Sequence, residues 1–387
     1  MRNQARVFVI LMALQAGMAT ASGDAARVEI GETISLQSAV LGETRPVQIS
    51  VPVGYDGVSR LPVLFVLDAE EHFGVFATTV DYLSRHTNIP PMMVVGVPNT
   101  GNRENNMVPF VSDWSPDGGG ADKFMAFFAD ELIPYLAQRY STSGFHMVAG
   151  KSYGGVFALY SAMQEDSPFD AYLAASPSVF LKDNQLVGDL WAARDTVSKA
   201  KFIYVSHASE DDISRKPYVE ITGILDRIMT RANSIGHQIY MHELHETVFL
   251  PSLTDALAVM FKGWQIPRYS QRIGVDAVVS HYQGLIDTMG LGIEIPERVF
   301  SYLGNLSSSD KEHDTAISIY AEGARRYPHS SDAQYYYARG LLRGGRTAEA
   351  LSVMRRAAAI AGKTGSPDAA FLSRRAEEIA AQLQPDR

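Results

Sequence analysis

The sequence predicts an α/β protein whose central sheet is mostly parallel, followed by a small all-α region. Between residues 60 and 265, short and continuous apolar runs alternate with helix-period segments, as they do when helices cover both faces of a parallel sheet. After about residue 275 the strand signal does not return. The 387 residues, 46% hydrophobic and 20% charged, suffice for one large globular domain and a smaller one.

About eight strands are predicted, in two groups. Residues 26–52 alternate apolar and polar positions, which is typical of antiparallel edge strands. Compact apolar runs then predict five buried strands and a last one further along, at 62–67, 92–97, 147–149, 171–175, 201–206 and 238–244. Amphipathic spacing predicts helices at 73–84, 122–138, 156–163, 218–232 and 253–264.

The first 21 residues have the pattern of a signal peptide. Arg2 and Arg6 provide a positive end, residues 7–14 an apolar core, and residues 19–21 the small side chains that a signal peptidase requires. The apolar core is too short to span a bilayer comfortably. We therefore expect a periplasmic or secreted product with no membrane span after cleavage; a retained anchor is the alternative.

The charge and the cysteine count exclude several functional classes. The net charge is −9, and it becomes −11 once the leader is removed, because that segment holds two arginines and no acidic residue. An acidic exported protein is a poor partner for nucleic acid. Without cysteine there is no disulfide, thiolate metal site or cysteine nucleophile. His72 and His86 lack partners at metal-ligand spacing, so we predict no metal and no cofactor.

A weak internal repeat lies in the C-terminal region. Five mostly apolar or small residues between 316 and 324 return 34 positions later, between 350 and 358, with a glycine break at 344–345 between them. Tetratricopeptide helix pairs have this period, and a generic stack of helical hairpins is the alternative. We predict a hydrolase-type domain over 22–268 and a helical domain over 269–387. The helical domain would serve packing, or would bind a protein partner or a second copy.

The most informative motif is the G-x-S-x-G pentapeptide at 150–154, between a short apolar strand and a helical segment. In a sharp strand-to-helix turn, the small residues on either side of the serine allow the chain to double back. The turn exposes the hydroxyl and directs helix N-terminal amides toward its target. Ser152 is therefore the candidate nucleophile, and a structural glycine turn is the alternative.

A serine needs a base and, behind it, an acid. In α/β-hydrolases the chain order is serine, acid, histidine. Acidic residues at 210–212 follow the predicted seventh strand, and His245 follows the eighth. We predict His245 as the base, over His237 before the strand and His242 within it. Glu210 is preferred as the acid, with Asp211 and Asp212 left open.

The oxyanion would be bound by two backbone amides. One is the N–H of Tyr153, directly after the nucleophile. The other is expected in the loop after the third strand, at Ala69 or Glu70. In the alternative interpretation, Asp68 and Glu70 cap the helix that follows.

With these residues in place, residues 35–265 resemble the esterases related to esterase D and to the ferric-enterobactin and salmochelin esterases. The segments that carry the resemblance are LPVLFVLDAE (61–70), VVGVPNT (94–100), 119–140 with its ELIPY, GKSYGG (150–155), 169–178, and His245 with 251–253. The resemblance implies an α/β-hydrolase fold, cleavage of carboxylic esters, in some members siderophore lactones, and Ser152 and His245 as nucleophile and base. Some members carry a tetratricopeptide-like helical tail.

The sequence departs from this family at three points. Lys151 replaces the usual histidine before the serine, Ala69 replaces the usual glycine after Asp68, and the family's acid is variable. Arg103 and Lys151 are the substrate-binding candidates. Arg103 suits an anionic or phenolate group, and a salt bridge facing solvent is equally compatible.

Together these observations predict an exported serine esterase that acts on a small-molecule ester through an acyl-enzyme. An acyltransferase of the same fold is one alternative. A catalytically inert periplasmic binding or scaffold protein, working through its helical tail, is the other.

Overall fold

The computed structural model describes residues 28–210, 212–231, 234–265 and 274–383. The predicted leader at 1–21 and the predicted domain boundary at 268/269 lie outside these ranges. Across the described ranges, no helix has the length and apolar character needed to cross a membrane.

The body is built on one eight-stranded sheet with the order β1-β2-β4-β3-β5-β6-β7-β8. The strands are β1 Glu32–Ser38, β2 Glu43–Ser50, β3 Leu61–Leu67, β4 Met93–Val97, β5 Thr142–Lys151, β6 Ala171–Ala175, β7 Phe202–His207 and β8 Ile235–Ile239. β2 pairs antiparallel with β1 and β4, and the five other pairings are parallel. The predicted mostly parallel sheet of about eight strands is confirmed.

Helices connect the strands on both faces. Those of the body are α1 Ala69–Arg85, α2 Arg103–Met107, α3 Ala121–Phe127, α4 Ile133–Arg139, α5 Tyr153–Ala162, α6 Leu181–Ala192, α7 Arg194–Val197, α8 Asp212–Ile228 and α9 Phe249–Met260. A π-helical turn, Phe128–Leu132, joins α3 to α4. β3, β4 and β6 are continuous apolar runs, and both of their faces are buried.

The last strand is the clearest error of the sequence prediction. β8 covers Ile235–Ile239 rather than 238–244, so His237 lies within the strand and His242 after it. The cause is that β8 is an edge strand, half-exposed along its length, and polar residues occupy it without breaking the pairing. Its register is set by β7, from Ile203 opposite Ile235 to His207 opposite Ile239.

Six helices follow the body: α10 Val275–Met289, α11 Glu297–Ser309, α12 His313–Arg326, α13 Ser331–Arg343, α14 Thr347–Thr364 and α15 Ala369–Gln382. α10 and α11 pack into the same apolar cluster as α1 and α9 on one face of the sheet; Tyr282, for example, meets Trp264 edge-on at 5.3 Å between ring centroids. The 34-residue offset relates α11 to α13 and α12 to α14. The C-terminal helices are thus docked on the body through a shared core.

Candidate active site

Ser152 occupies the turn between β5 and α5. Its backbone has φ 59° and ψ −117°, a region that non-glycine residues occupy only when the surrounding structure enforces it. A Cβ added at Gly150 would lie 2.3 Å from the backbone of Gly154. The two glycines therefore allow the chain to fold back on itself and leave the serine at the apex.

Hydrogen bonds to Ala175 and to Ser178, a residue not predicted from the sequence, hold the turn to the end of β6. The Ser152 N–H donates to the Ala175 carbonyl at 3.0 Å, and the Ser178 N–H donates to the Ser152 carbonyl at 3.3 Å. The hydroxyls of Ser152 and Ser178 are 3.1 Å apart. The stretch Ser176–Pro177–Ser178 contributed to the family resemblance, but no motif assigned these side chains to the site.

Glu210 and His245 form a hydrogen-bonded pair. His245 Nδ1 lies 2.9 Å from Glu210 Oε1, and the two side chains are 32% and 20% exposed. Burial alone would raise the pKa of Glu210, but hydrogen bonds from His245 and Ser176, together with the His245 charge, outweigh it and lower the pKa. Of the other acids considered, Asp211 lies outside the described residues, and Asp212 is the exposed first residue of α8.

Lys151 connects the loop that holds His245 to the turn at Ser152. The Lys151 ammonium, on a residue only 9% exposed, donates to the Glu246 carbonyl at 3.5 Å. Within the described residues no hydrogen bond joins His245 to Ser152, whose hydroxyl is paired with Ser178 instead.

The predicted oxyanion donors lie at two helix N-termini. Tyr153 is the first residue of α5, and Ala69 and Glu70 are the first two of α1; amides at such positions have no acceptor within their own helix. The turn before α5 lies next to the turn before α1: a Cβ at Gly154 would lie 3.5 Å from both Leu67 and the Asp68 carboxylate. Asp68 precedes α1 without capping it through its side chain, contrary to the capping interpretation.

Arg103 is bound to that same Asp68 carboxylate. Nε lies 2.6 Å from Oδ1 and Nη2 lies 2.9 Å from Oδ2, the bidentate geometry that a guanidinium prefers. Burial would lower the pKa of Arg103, but the hydrogen bond to Asp68 and its charge raise it. The outer edge of Arg103 also lines an open cleft of about 620 Å³ beside Tyr153, together with Gly101, Asn102, Glu104, Asn105 and Asp117.

An aromatic rim lies beyond Tyr153. The Tyr153 hydroxyl donates to the Trp114 carbonyl at 3.0 Å, and the Trp114 ring, 70% exposed, meets Phe180 edge-on at 6.0 Å. A separate cavity of about 270 Å³ lies between the body and the C-terminal helices. Its lining includes Leu61, the first residue of β3, so it is at the opposite edge of the sheet from Ser152.

The other described histidines near the sheet have partners elsewhere. His72 packs edge-on to Phe249 at 4.8 Å, and burial together with the Lys151 charge lowers its pKa. His207 bonds to Ala208 and to Ser214, and His237 bonds to Asp226 at 3.2 Å. In the parts of the chain that the structure covers, no three His, Asp or Glu side chains are grouped so as to bind a metal.

The comparisons with known proteins bear on this arrangement. Residues 38–222 match the model of the family described as "Putative esterase". These residues make up a little under half of the chain, and over them the chain is similar to the esterase family. The chain is also 29% identical over 158 residues to the siderophore enterobactin esterase of Emericella nidulans, covering 34% of this chain and 51% of the relative. It is 28% identical over 149 residues to the ferri-bacillibactin esterase BesA of Bacillus subtilis, covering 33% and 49%.

The chain thus spans about half the length of these curated relatives. Among solved structures, an IroE-like serine hydrolase from Shewanella oneidensis matches with a TM-score of 0.66 at 24% identity, over 77% of this chain and 99% of that one. At this identity the likeness establishes the fold of the body. The chemistry has to be argued from the residues described above.

Proposed function

We propose that this protein is an exported serine carboxylic-ester hydrolase that works through an acyl-enzyme. One observation carries the proposal. A serine in an enforced left-handed conformation and a histidine bonded to a partly buried carboxylate lie at the same carboxyl edge of the sheet. Such an edge is where sites form in open α/β folds.

Each residue then has a defined task. Glu210 accepts the hydrogen bond of His245 Nδ1, which leaves Nε2 free to take the proton of Ser152 as Oγ attacks the ester carbonyl. The oxyanion accepts from the N–H of Tyr153 and from that of Ala69 or Glu70. When the C–O bond breaks, the imidazolium returns its proton to the leaving alcohol. Water then attacks the acyl-enzyme while His245 takes its proton, and the imidazolium returns that proton to Ser152 Oγ as the acyl C–O bond breaks and the carboxylic acid leaves.

The reaction requires the Ser152 hydroxyl to exchange its partner. In the structure it contacts Ser178 at 3.1 Å, so the proposed mechanism requires a rotation about χ1 that brings the hydroxyl to the imidazole. Ser178 therefore serves as a resting partner, and its removal should leave the chemistry intact.

For the substrate we propose small esters, with siderophore-type lactones included because the curated relatives are named as siderophore esterases. The ester would enter by the cleft beside Tyr153, over the outer edge of Arg103. Lys151 would bind the substrate from the side of the His245 loop, because its ammonium donates to the Glu246 carbonyl.

The decisive experiment compares Ser152→Ala with Ser178→Ala on a neutral nitrophenyl butyrate. Ser152→Ala should abolish turnover and labelling by a fluorophosphonate, with the melting temperature nearly unchanged, and Ser178→Ala should retain both. Wild-type protein that neither turns over a panel of esters nor takes the label would favour the inert scaffold. Acyl transfer to an added alcohol in preference to water would make the enzyme an acyltransferase.

We further propose the domain division 22–268 and 269–387, with residues 1–21 removed on export to the periplasm or medium. The offset that relates α11 to α13 supports a tetratricopeptide-like tail. Because α10 and α11 use their apolar faces against the body, a protein partner or second copy would have to bind the later helices. The N-terminal sequence of the secreted protein tests the leader: a chain still starting at Met1 in the exported fraction contradicts it.

A further inference from the structure

We propose that Arg103 is a positioning residue for the oxyanion hole, acting through Asp68, and not a residue that recognises the substrate. The inference rests on the proposed esterase mechanism. In this role, Arg103 keeps a constant distance between the two amide donors, the N–H of Tyr153 and that of Ala69 or Glu70, which come from different loops.

The first observation is the conformation of Asp68. It is the residue between β3 and α1, it is 5% exposed, and its backbone is left-handed, with φ 52° and ψ 43°. Its side chain does not cap α1. A buried aspartate that gives up its capping bond in a strained backbone must be held by something else.

Arg103, the first residue of α2, supplies that hold. Its guanidinium donates a hydrogen bond to each carboxylate oxygen of Asp68, at 2.6 and 2.9 Å. Nη2 also lies 3.4 Å from the Lys151 carbonyl, and the guanidinium carbon stands 5.1 Å from the centre of the Tyr153 ring. One side chain therefore contacts the residues before and after the nucleophile as well as the residue before the second oxyanion donor.

Asn99 closes the network on the same side. Its amide donates to Asp68 Oδ1 at 2.6 Å and to Glu70 Oε1 at 2.7 Å, and its backbone N–H donates to Glu70 Oε2 at 3.0 Å. The loops after β3, β4 and β5 are thereby joined by charge-assisted hydrogen bonds, which are the stronger kind. The amides of Ala69 or Glu70 and of Tyr153 cannot move apart without breaking them.

Two physical effects follow. Displacing a donor by a fraction of an ångström weakens its bond to the transition state much more than its contact with the substrate. In addition, Asp68 without Arg103 would be a buried, uncompensated carboxylate beside the place where the oxyanion forms. Both effects act on kcat.

The test uses a neutral ester, so that no substrate charge can be recognised. In Arg103→Lys, which keeps the charge but not the two-point contact, kcat should fall about 10- to 100-fold while KM stays within about 3-fold. The matched control is Arg85→Ala. It removes an arginine paired with Asp81 at 2.7 Å at the other end of α1, and its kcat should stay within about 2-fold of wild type.

Three further measurements separate positioning from mere structural support. Binding of an alkyl boronic acid, which mimics the tetrahedral oxyanion, should weaken in parallel with kcat in Arg103→Lys. The double variant Arg103→Ala with Asp68→Asn should be less impaired than Arg103→Ala alone, because the uncompensated charge is gone. Millimolar guanidinium should partly restore the kcat of Arg103→Ala.

With wild-type turnover present and Ser152→Ala inactive, an unchanged kcat in Arg103→Lys overturns this inference and leaves the esterase proposal intact. A raised KM confined to anionic esters, at constant kcat, overturns it as well and makes Arg103 a recognition residue. An active Ser152→Ala would instead end the esterase proposal itself. Circular dichroism and melting of each variant ensure that the comparison is made on folded protein.

Discussion

The loops at the carboxyl edge of the sheet and the helices of the C-terminal region are built on opposite principles. At the sheet edge, Asp68, Ser152 and Ser176 all have positive φ, at 52°, 59° and 37°, and buried polar groups bond to one another. In the C-terminal region, glycines on one helix leave room for a large side chain of the neighbouring helix. A Cβ at Gly304 or at Gly340 would lie 2.4 or 2.6 Å from the ring of Tyr320. The first region holds unfavourable backbone conformations around the candidate site, whereas the second is stabilised by close packing of its helices.

If this contrast holds, substitutions at the sheet edge should reduce activity more than stability, and substitutions in the C-terminal helices should do the reverse. Four variants test the contrast, beginning with the largest expected effect.

Glu210→Gln should lower kcat about 10³- to 10⁴-fold, because the imidazole loses the carboxylate that fixes its tautomer and stabilises its charged form. The folded pKa of Glu210 is depressed, so its contribution to stability is present above the unfolded pKa of about 4.3 and is lost as the pH falls through the folded value. The melting temperatures of wild type and variant should therefore converge below about pH 4. Unchanged kcat would remove Glu210 from the site and favour a dyad.

Gly150→Ala should lower kcat about 100-fold and destabilise the fold by about 1–3 kcal/mol, since the new methyl group would overlap the Gly154 backbone and shift the nucleophile. Turnover measured alongside urea unfolding checks both values. Gly188→Ala is the control, because a Cβ there meets nothing within 4 Å. Full activity in Gly150→Ala would mean that the turn is looser than its geometry indicates.

Gly340→Ala should lower the free energy of unfolding by about 1–3 kcal/mol, because it overpacks α13 against Tyr320, and should leave kcat unaltered. Differential scanning calorimetry and an ester assay provide the two measurements. Gly362→Ala, on α14 with no neighbour near its Cβ, is the control. Loss of activity without loss of stability would break the proposed contrast.

Glu297→Gln should have the smallest effect. Burial raises the pKa of Glu297 to about 7 despite a hydrogen bond from Ser330. Stability is therefore greatest below the unfolded pKa of about 4.3 and declines as the pH rises toward 7. At pH 8 the variant should melt a few degrees higher than wild type, which corresponds to a free energy of unfolding about 1 kcal/mol larger. At pH 4.5 it should melt no higher than wild type. Identical pH profiles would place Glu297 in solvent.

Much of the fold could be predicted, because burial leaves a periodic record in the chain. β3, β4 and β6 are apolar without interruption, and the predicted runs at 62–67, 92–97 and 171–175 agree with them to within one residue. The sequence misplaces β8 because an edge strand is half-exposed and needs no continuous apolar run. Its pairing partner decided its position.

The candidate site was predictable to the extent that its residues belong to an ordered motif. Ser152 has glycines around it, and Glu210 and His245 follow it in the order that α/β-hydrolases require. The structure brings Glu210 and His245 into hydrogen-bond contact. For Arg103 the sequence leaves substrate binding and a salt bridge equally open, because it shows only that Arg103 follows a strand, whereas the structure shows which carboxylate it binds.

The sequence by itself determined the alternation of strands and helices, the nucleophile turn and the chain order of the three candidate catalytic groups, because local sterics and hydrophobic periodicity act between near neighbours. Only the tertiary structure decided the partners of Asp68, Ser152 and Arg103. Contacts of Arg103 with Asp68, 35 positions away in the chain, arise from the order in which parallel strands assemble, and no spacing along the chain encodes that distance.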